Sequence, residues 1–122
     1  LICYIYIVTK IKDHRAFIND LILAFPEIEE EVLDEDNLNS ITLQMIGFKA
    51  FTQKAIDSND VETIKRCFEF VSSNWNSIEF KVENSLMITY LAKLKIVKGS
   101  NAERLLPAVL ETALNEYRDA MR

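Results

Sequence analysis

At 122 residues, with 49% hydrophobic and 27% charged side chains, the chain is sized and balanced for one domain whose core needs neither disulfides nor metal. Its formal net charge of −5 disfavours a nucleic-acid ligand, and two glycines and two prolines leave few of the tight turns that sheets require. The expectation is an all-α fold in a single domain over residues 1–122. It takes the form of a compact bundle of about five to six antiparallel helices, with HEAT-like helical pairs as one arrangement.

Residues 1–8, LICYIYIV, combine β-branched and aromatic side chains that suit a strand. They also extend the first helix backwards, or form an appended segment. A helical turn lying over the core is the preferred reading, with residues 1–10 set apart as an N-terminal extension. Eight apolar residues without a basic flank or a small-residue cleavage site make no secretion signal, and a bilayer span needs about 20. A cytoplasmic protein, not a membrane protein, is expected.

From Asp13 the helical period is clear: Phe17, Ile18, Leu21, Ile22 and Phe25 make one apolar stripe. Pro26 closes it, because the residue before a proline avoids the α conformation. Pro26 then opens a short second helix with Ile28, Val32 and Leu33 facing inward. The outer face of that helix is the most unusual stretch of the chain. Residues 27–36, EIEEEVLDED, hold seven acids (Glu27, Glu29, Glu30, Glu31, Asp34, Glu35, Asp36) and no base, more than the whole net charge. A solvated surface whose leading acids favour the helix N-terminus accounts for such a run. So does an electronegative patch that steers a basic partner.

Asn37-Leu38-Asn39-Ser40 supplies a turn and a cap. The third helix carries Ile41, Met45, Phe48, Phe51, Ala55 and Ile56. Gly47 inside it costs roughly 1 kcal/mol relative to Ala, which points to the close approach of a neighbouring helix. Asn59 and Glu62 then form an N-x-x-E cap pattern ahead of Val61, Ile64, Phe68 and Val71, which share a face. A polar break brackets Trp75. Beyond it Ile78, Val82, Leu86, Met87, Tyr90, Leu91 and Leu94 predict a helix running to Ile96 and enclosed on more than one side. The pair spanning Asn59–Ile96 is expected to form the centre of the bundle. Ser100 and Glu103 match a capping box for the last helix, in which Leu105, Leu106, Val109, Leu110, Ala113, Leu114, Tyr117 and Met121 are the apolar positions. Pro107 begins its main body or kinks it.

No constellation for catalysis stands out, and no enzyme is expected. His14 is the one histidine, placed beside Asp13 and Arg15 at a surface, and Cys67 falls on a buried stripe, so a Cys–His pair is disfavoured. Two cysteines, Cys3 and Cys67, make no disulfide framework and fit a reducing compartment. Asp34-Glu35-Asp36 begins like a calcium loop. However, Leu38, Asn39 and Met45 stand where an oxygen ligand, a glycine and a bidentate glutamate are needed. No metal or cofactor is expected. Lys93, Lys95 and Lys98 read as a favourable helix C-terminus. Trp75 reads as a packing residue or as an apolar interface anchor.

The run N-D-V-E-x(2)-K-R-C-F-E-F-V from Asn59, followed after the polar turn by V-E-N-S-L-M-I-T-Y-L-A-K-L from Val82, resembles small all-helical immunity proteins of bacterial toxin systems, those of contact-dependent growth inhibition included. The resemblance covers a third to a half of the chain, rests on apolar spacing, and carries over no catalytic residue. It implies a cytoplasmic protein that binds and blocks a basic toxin domain, a nuclease being one such target. The contact expected for it is Glu27, Glu30, Glu31, Asp34, Glu35 and Asp36, with Trp75 as the anchor. The alternative is a helical adaptor or regulatory scaffold, homodimeric in one form, in which the acids serve solubility.

Overall fold

In the computed structural model, which describes residues 11–122, Asp13 caps the first helix, α1 (His14–Ala24), by accepting the Ala16 N–H at 2.9 Å. The expectations for Leu1–Val8 and Cys3 lie outside the described residues. Phe17, Ile18 and Leu21 are buried, as their period requires, and the stripe ends at Phe25, just before Pro26. Pro26–Ile28 forms one 3-10 turn and α2 (Glu29–Val32) a single α turn. Ile28 and Val32 face inward, whereas Leu33, expected beside them, is 38% exposed because the helix has already ended.

Ser40 caps α3 (Ile41–Asp57) through the Leu43 N–H, and Asp60 caps α4 (Val61–Asn74) through the Thr63 N–H at 3.3 Å. The cap expected at Asn59 is therefore one residue early. Asn59 instead takes a left-handed conformation, φ 53°, that lets the chain reverse between the two helices. Val61, one residue into α4, is 37% exposed, while Ile64, Cys67, Phe68 and Val71 are buried.

The long second helix of the expected central pair does not form as drawn. After α5 (Phe80–Ser85) the chain widens into a π turn (Leu86–Tyr90), tightens into a 3-10 turn (Leu91–Lys93) and leaves the helix at Leu94, ψ 134°. Residues 94–97 fail to continue it because Gln53 takes both backbone groups of Lys95. The Lys95 N–H donates to Gln53 Oε1 at 2.8 Å, and Gln53 Nε2 donates to the Lys95 carbonyl at 3.1 Å. Of the three lysines expected at a helix end, only Lys93 is there.

The centre is α3. It packs against α4, α2, α5 and the π turn, so the two halves of the expected pair meet α3 more extensively than each other. Around it Phe25 contacts Phe48, Phe51 and Phe70 at ring-centroid distances of 5.3, 5.7 and 5.5 Å. Tyr90, carried by the π turn, stacks flat on Phe48 at 4.6 Å, and its hydroxyl meets Thr52 Oγ1 at 2.9 Å.

The polar break after α4 is stitched to the N-terminal side. Lys12 donates its N–H to Ser77 O (2.7 Å) and accepts the Glu79 N–H (2.9 Å), while its Nζ reaches Asn74 Oδ1 and Asp20 Oδ2, each at 2.6 Å. Ser100 and Glu103 cap α6 (Asn101–Leu105), with the glutamate reaching back to the Gly99 N–H at 2.9 Å. Pro107 then breaks the chain, and α7 (Ala108–Ala120) follows, burying Leu110 and Leu114 and leaving Val109 40% and Met121 66% exposed. The fold is an all-α bundle with seven α-helices among the described residues, and no helix there is long and apolar enough to cross a membrane.

Candidate functional site

The acids of residues 27–36 are all exposed, yet they do not share one helix face. Glu27 lies on the 3-10 turn, Glu29 to Glu31 on the single turn of α2, and Asp34 to Asp36 in the turns that follow. At about 100° per helical residue, with Ile28 and Val32 inward, Glu30 points straight out and Glu29 and Glu31 flank it. The result is an acidic corner, not the continuous helical surface expected.

The corner is held by its own residues. Asp34 Oδ1 accepts the Asp36 N–H at 2.9 Å, and Asn37 Nδ2 donates to Glu31 O at 2.9 Å. Glu31 folds over α3 at Gly47, so the close approach that glycine permits comes from a side chain and not from a neighbouring helix. Glu27 stands apart because Arg66 takes it: Nη1 lies 3.2 Å from its Oε2, Nη2 donates to Ala24 O at 3.1 Å, and the guanidinium sits 5.1 Å above the Phe25 ring. Backbone hydrogen bonding at Glu27, followed by the Arg66 contact, holds its carboxyl below the ordinary glutamate range. Among the described residues the other six acids have no ion pair.

Beside the corner lies a cleft of about 500 Å³ whose walls include His14, Arg15, Ile18, Leu33, Leu38 and Gln44. His14 is half-buried, not the plain surface residue expected. Its Nε2 pairs with Oε1 of buried Gln44, whose Nε2 donates to Val32 O at 3.0 Å. This chain of bonds ties α1 to the end of α2 through α3. Gln44 escaped the sequence reading because a polar residue between apolar positions looks like an exposed one.

Trp75, expected as an anchor for the same contact, is only 8% exposed and belongs to the core. The surface it does reach opens toward Val109, Ala113 and Glu116 of α7, and no acid of residues 27–36 lines that groove. Its two roles were not separable in the sequence.

Cys67 is buried as expected, and burial pushes its thiol up to about 11, outweighing the Thr52 hydroxyl and Arg66 nearby. Burial likewise raises the Tyr90 phenol well above its usual range. Both groups stay protonated and neutral. His14 and Cys67 lie in different surroundings, with Cys67 facing Thr52 and His14 facing Gln44. Among the described residues no group of three or more His, Cys, Asp or Glu is arranged to hold a metal ion.

Together these features define a helical domain with an acidic corner that, apart from Glu27, carries no ion pair among the described residues. The chain belongs to a family described as a domain of unknown function, DUF7674, whose model matches residues 18–121 and so includes the corner and Trp75, while His14 and Arg15 of the cleft precede it. No curated protein and no solved structure matches the chain.

Proposed function

We propose that the domain binds a basic protein partner through the acidic corner, with Glu30, Glu31, Asp34, Glu35 and Asp36 at the contact and Glu27 at its margin beside Arg66. In its finer form this is a cytoplasmic immunity protein that blocks a basic toxin domain. A nuclease suits the chemistry, since a site built to hold phosphate is cationic and a set of carboxylates competes for it. The observation that carries the reading is the exposure of six carboxylates without an ion pair among the described residues. Uncompensated charge of one sign raises the encounter rate with an oppositely charged surface.

The test is binding to a basic toxin domain encoded beside the gene, with Glu30, Glu31, Asp34, Glu35 and Asp36 changed to their amides. The association rate is expected to fall by roughly 10-fold or more, and the wild-type rate to drop steeply with salt. Equal rates for wild type and variant, at low and high salt alike, remove the corner from the account.

A helical adaptor that self-associates is the second reading, favoured by a different observation. Leu38, just before α3, and Leu43 and Ile46, one turn apart on α3, are 49%, 43% and 49% exposed, apolar area that a second copy would cover. Light scattering on the Leu43→Glu and Ile46→Glu variants decides it: a dimer that these charges dissociate supports this reading, and a wild-type monomer excludes it.

A further inference from the structure

The C-terminal end of the bundle carries a second site, unrelated to the acidic corner. Trp75 follows α4, Phe80 opens α5, and Tyr117 lies near the end of α7, yet all three line one cavity of about 370 Å³. Glu83, Asn84, Met87 and Glu116 add its polar and flexible groups, and among the described residues no lysine, arginine or histidine lines it. The helical period explains the convergence. Phe80, Glu83 and Met87 follow one another along one side of α5 and the π turn, and Ala113, Glu116 and Tyr117 do so along α7.

Phe80 is the anomaly that gives this cavity meaning. It is 78% exposed, whereas burying a phenylalanine stabilises a fold by about 1.5–3 kcal/mol. Glu83 is half-buried, and neither it nor Glu116 has an ion pair among the described residues. Aromatic ring faces attract cations, and carboxylates at the rim add to that field. The two carboxylates repel an anion and attract a cation, and a neutral apolar group gains nothing from them.

We infer that the cavity formed by Trp75, Phe80, Tyr117, Glu83 and Glu116 binds an organic cation of the alkylammonium or guanidinium class. Two sources present that chemistry: the side chain of a lysine, methylated lysine or arginine on a partner, and a free quaternary ammonium. A groove of about 410 Å³ shares Trp75, Ala113 and Glu116 with the cavity and continues along α7. A chain segment that carries the cation has room to lie there.

Trp75 is the one tryptophan of the chain, so its fluorescence reports on this cavity directly. Full-length protein is titrated with choline, with its neutral isostere 3,3-dimethyl-1-butanol, and with acetylated amides of trimethyllysine and arginine. Choline or one of the amides is expected to shift the emission saturably, with the neutral isostere weaker by roughly tenfold. Tighter binding of an amide identifies a partner's side chain as the source, and tighter binding of choline identifies a free ammonium. Phe80→Ala, at a position that contributes little to the core, and the pair Glu83→Gln with Glu116→Gln are each expected to weaken the cation by about tenfold while leaving the helical circular dichroism unchanged. No saturable change with any cation, or equal binding of the neutral isostere, overturns the inference.

Discussion

The carboxylate of Glu31 lies across the backbone of Gly47, where a Cβ would stand 3.2 Å from both its Cδ and its Oε1. Glu31 is exposed, and what blocks the methyl is the far end of a flexible side chain. Gly47→Ala should therefore gain the helix propensity that glycine forfeits and turn Glu31 outward. The expected result is a stability increase of about 0.5–1 kcal/mol in urea unfolding. A loss of stability would mean that Glu31 is fixed in place.

Thr52 and Tyr90 pair their hydroxyls inside the aromatic core, and Thr52 Oγ1 also donates to Phe48 O at 3.1 Å. Tyr90→Phe leaves Thr52 satisfied and should cost about 1 kcal/mol. Thr52→Val leaves a fully buried phenol unpaired and should cost about 2–3 kcal/mol. The double variant should cost less than the two singles together, since no polar group is then stranded. Strict additivity would mean that the two hydroxyls are not coupled.

The start of α4 separates two neighbouring residues. Asp60 accepts from the Thr63 backbone at 3.3 Å and from its hydroxyl at 2.7 Å, so Asp60→Ala should cost about 1 kcal/mol. Asn59→Gly should be near neutral or stabilising, because the left-handed backbone there favours glycine over the exposed Asn59–Asn101 bond. Chemical denaturation of the two variants side by side checks the ranking, and the reverse order would move the cap back to Asn59.

Cys67 makes alkaline stability depend on pH. Its folded-state pKa of about 11 lies above the open-chain value of 9.0, so between those values the unfolded chain ionises first. The contribution is complete below the unfolded value and is lost as pH rises toward the folded one. In a Cys3→Ser background, unfolding free energy should fall with pH over that interval, and Cys67→Ala, though less stable overall, should flatten the slope. A native thiol that reacts with a disulfide reagent as fast as an unfolded peptide would contradict its burial.

Periodicity carried the parts of this fold that depend on one face being apolar. Phe17, Leu21, Ile64, Phe68, Val71, Leu110 and Leu114 stand where a 3.6-residue period puts them, and Asp13, Ser40 and Ser100 cap the helices they precede. The parts that failed depend on partners far away in the chain. Nothing near Lys95 announces that Gln53 will claim its backbone, and nothing near Leu86 announces a π turn that seats Tyr90 on Phe48. The acids at 27–36 were visible as composition, but their distribution over three kinds of turn was not. Phe80 was passed over because it falls off the stripe of Ile78 and Val82. That same displacement leaves its ring in solvent, as a surface aromatic that the core does not use.

Pro107 separates α7 from α6, and among the described residues α7 buries only Leu110 and Leu114 fully. A segment fastened at so few points is a natural first unit to detach in partial opening, ahead of the elements clustered about α3. Its amide protons should accordingly exchange sooner than those of α3 or α4. Because Glu116 and Tyr117 form one side of the cavity and Trp75 and Phe80 the other, any occupant acts as a clasp, transferring the rigidity of the inner helices to the outermost one.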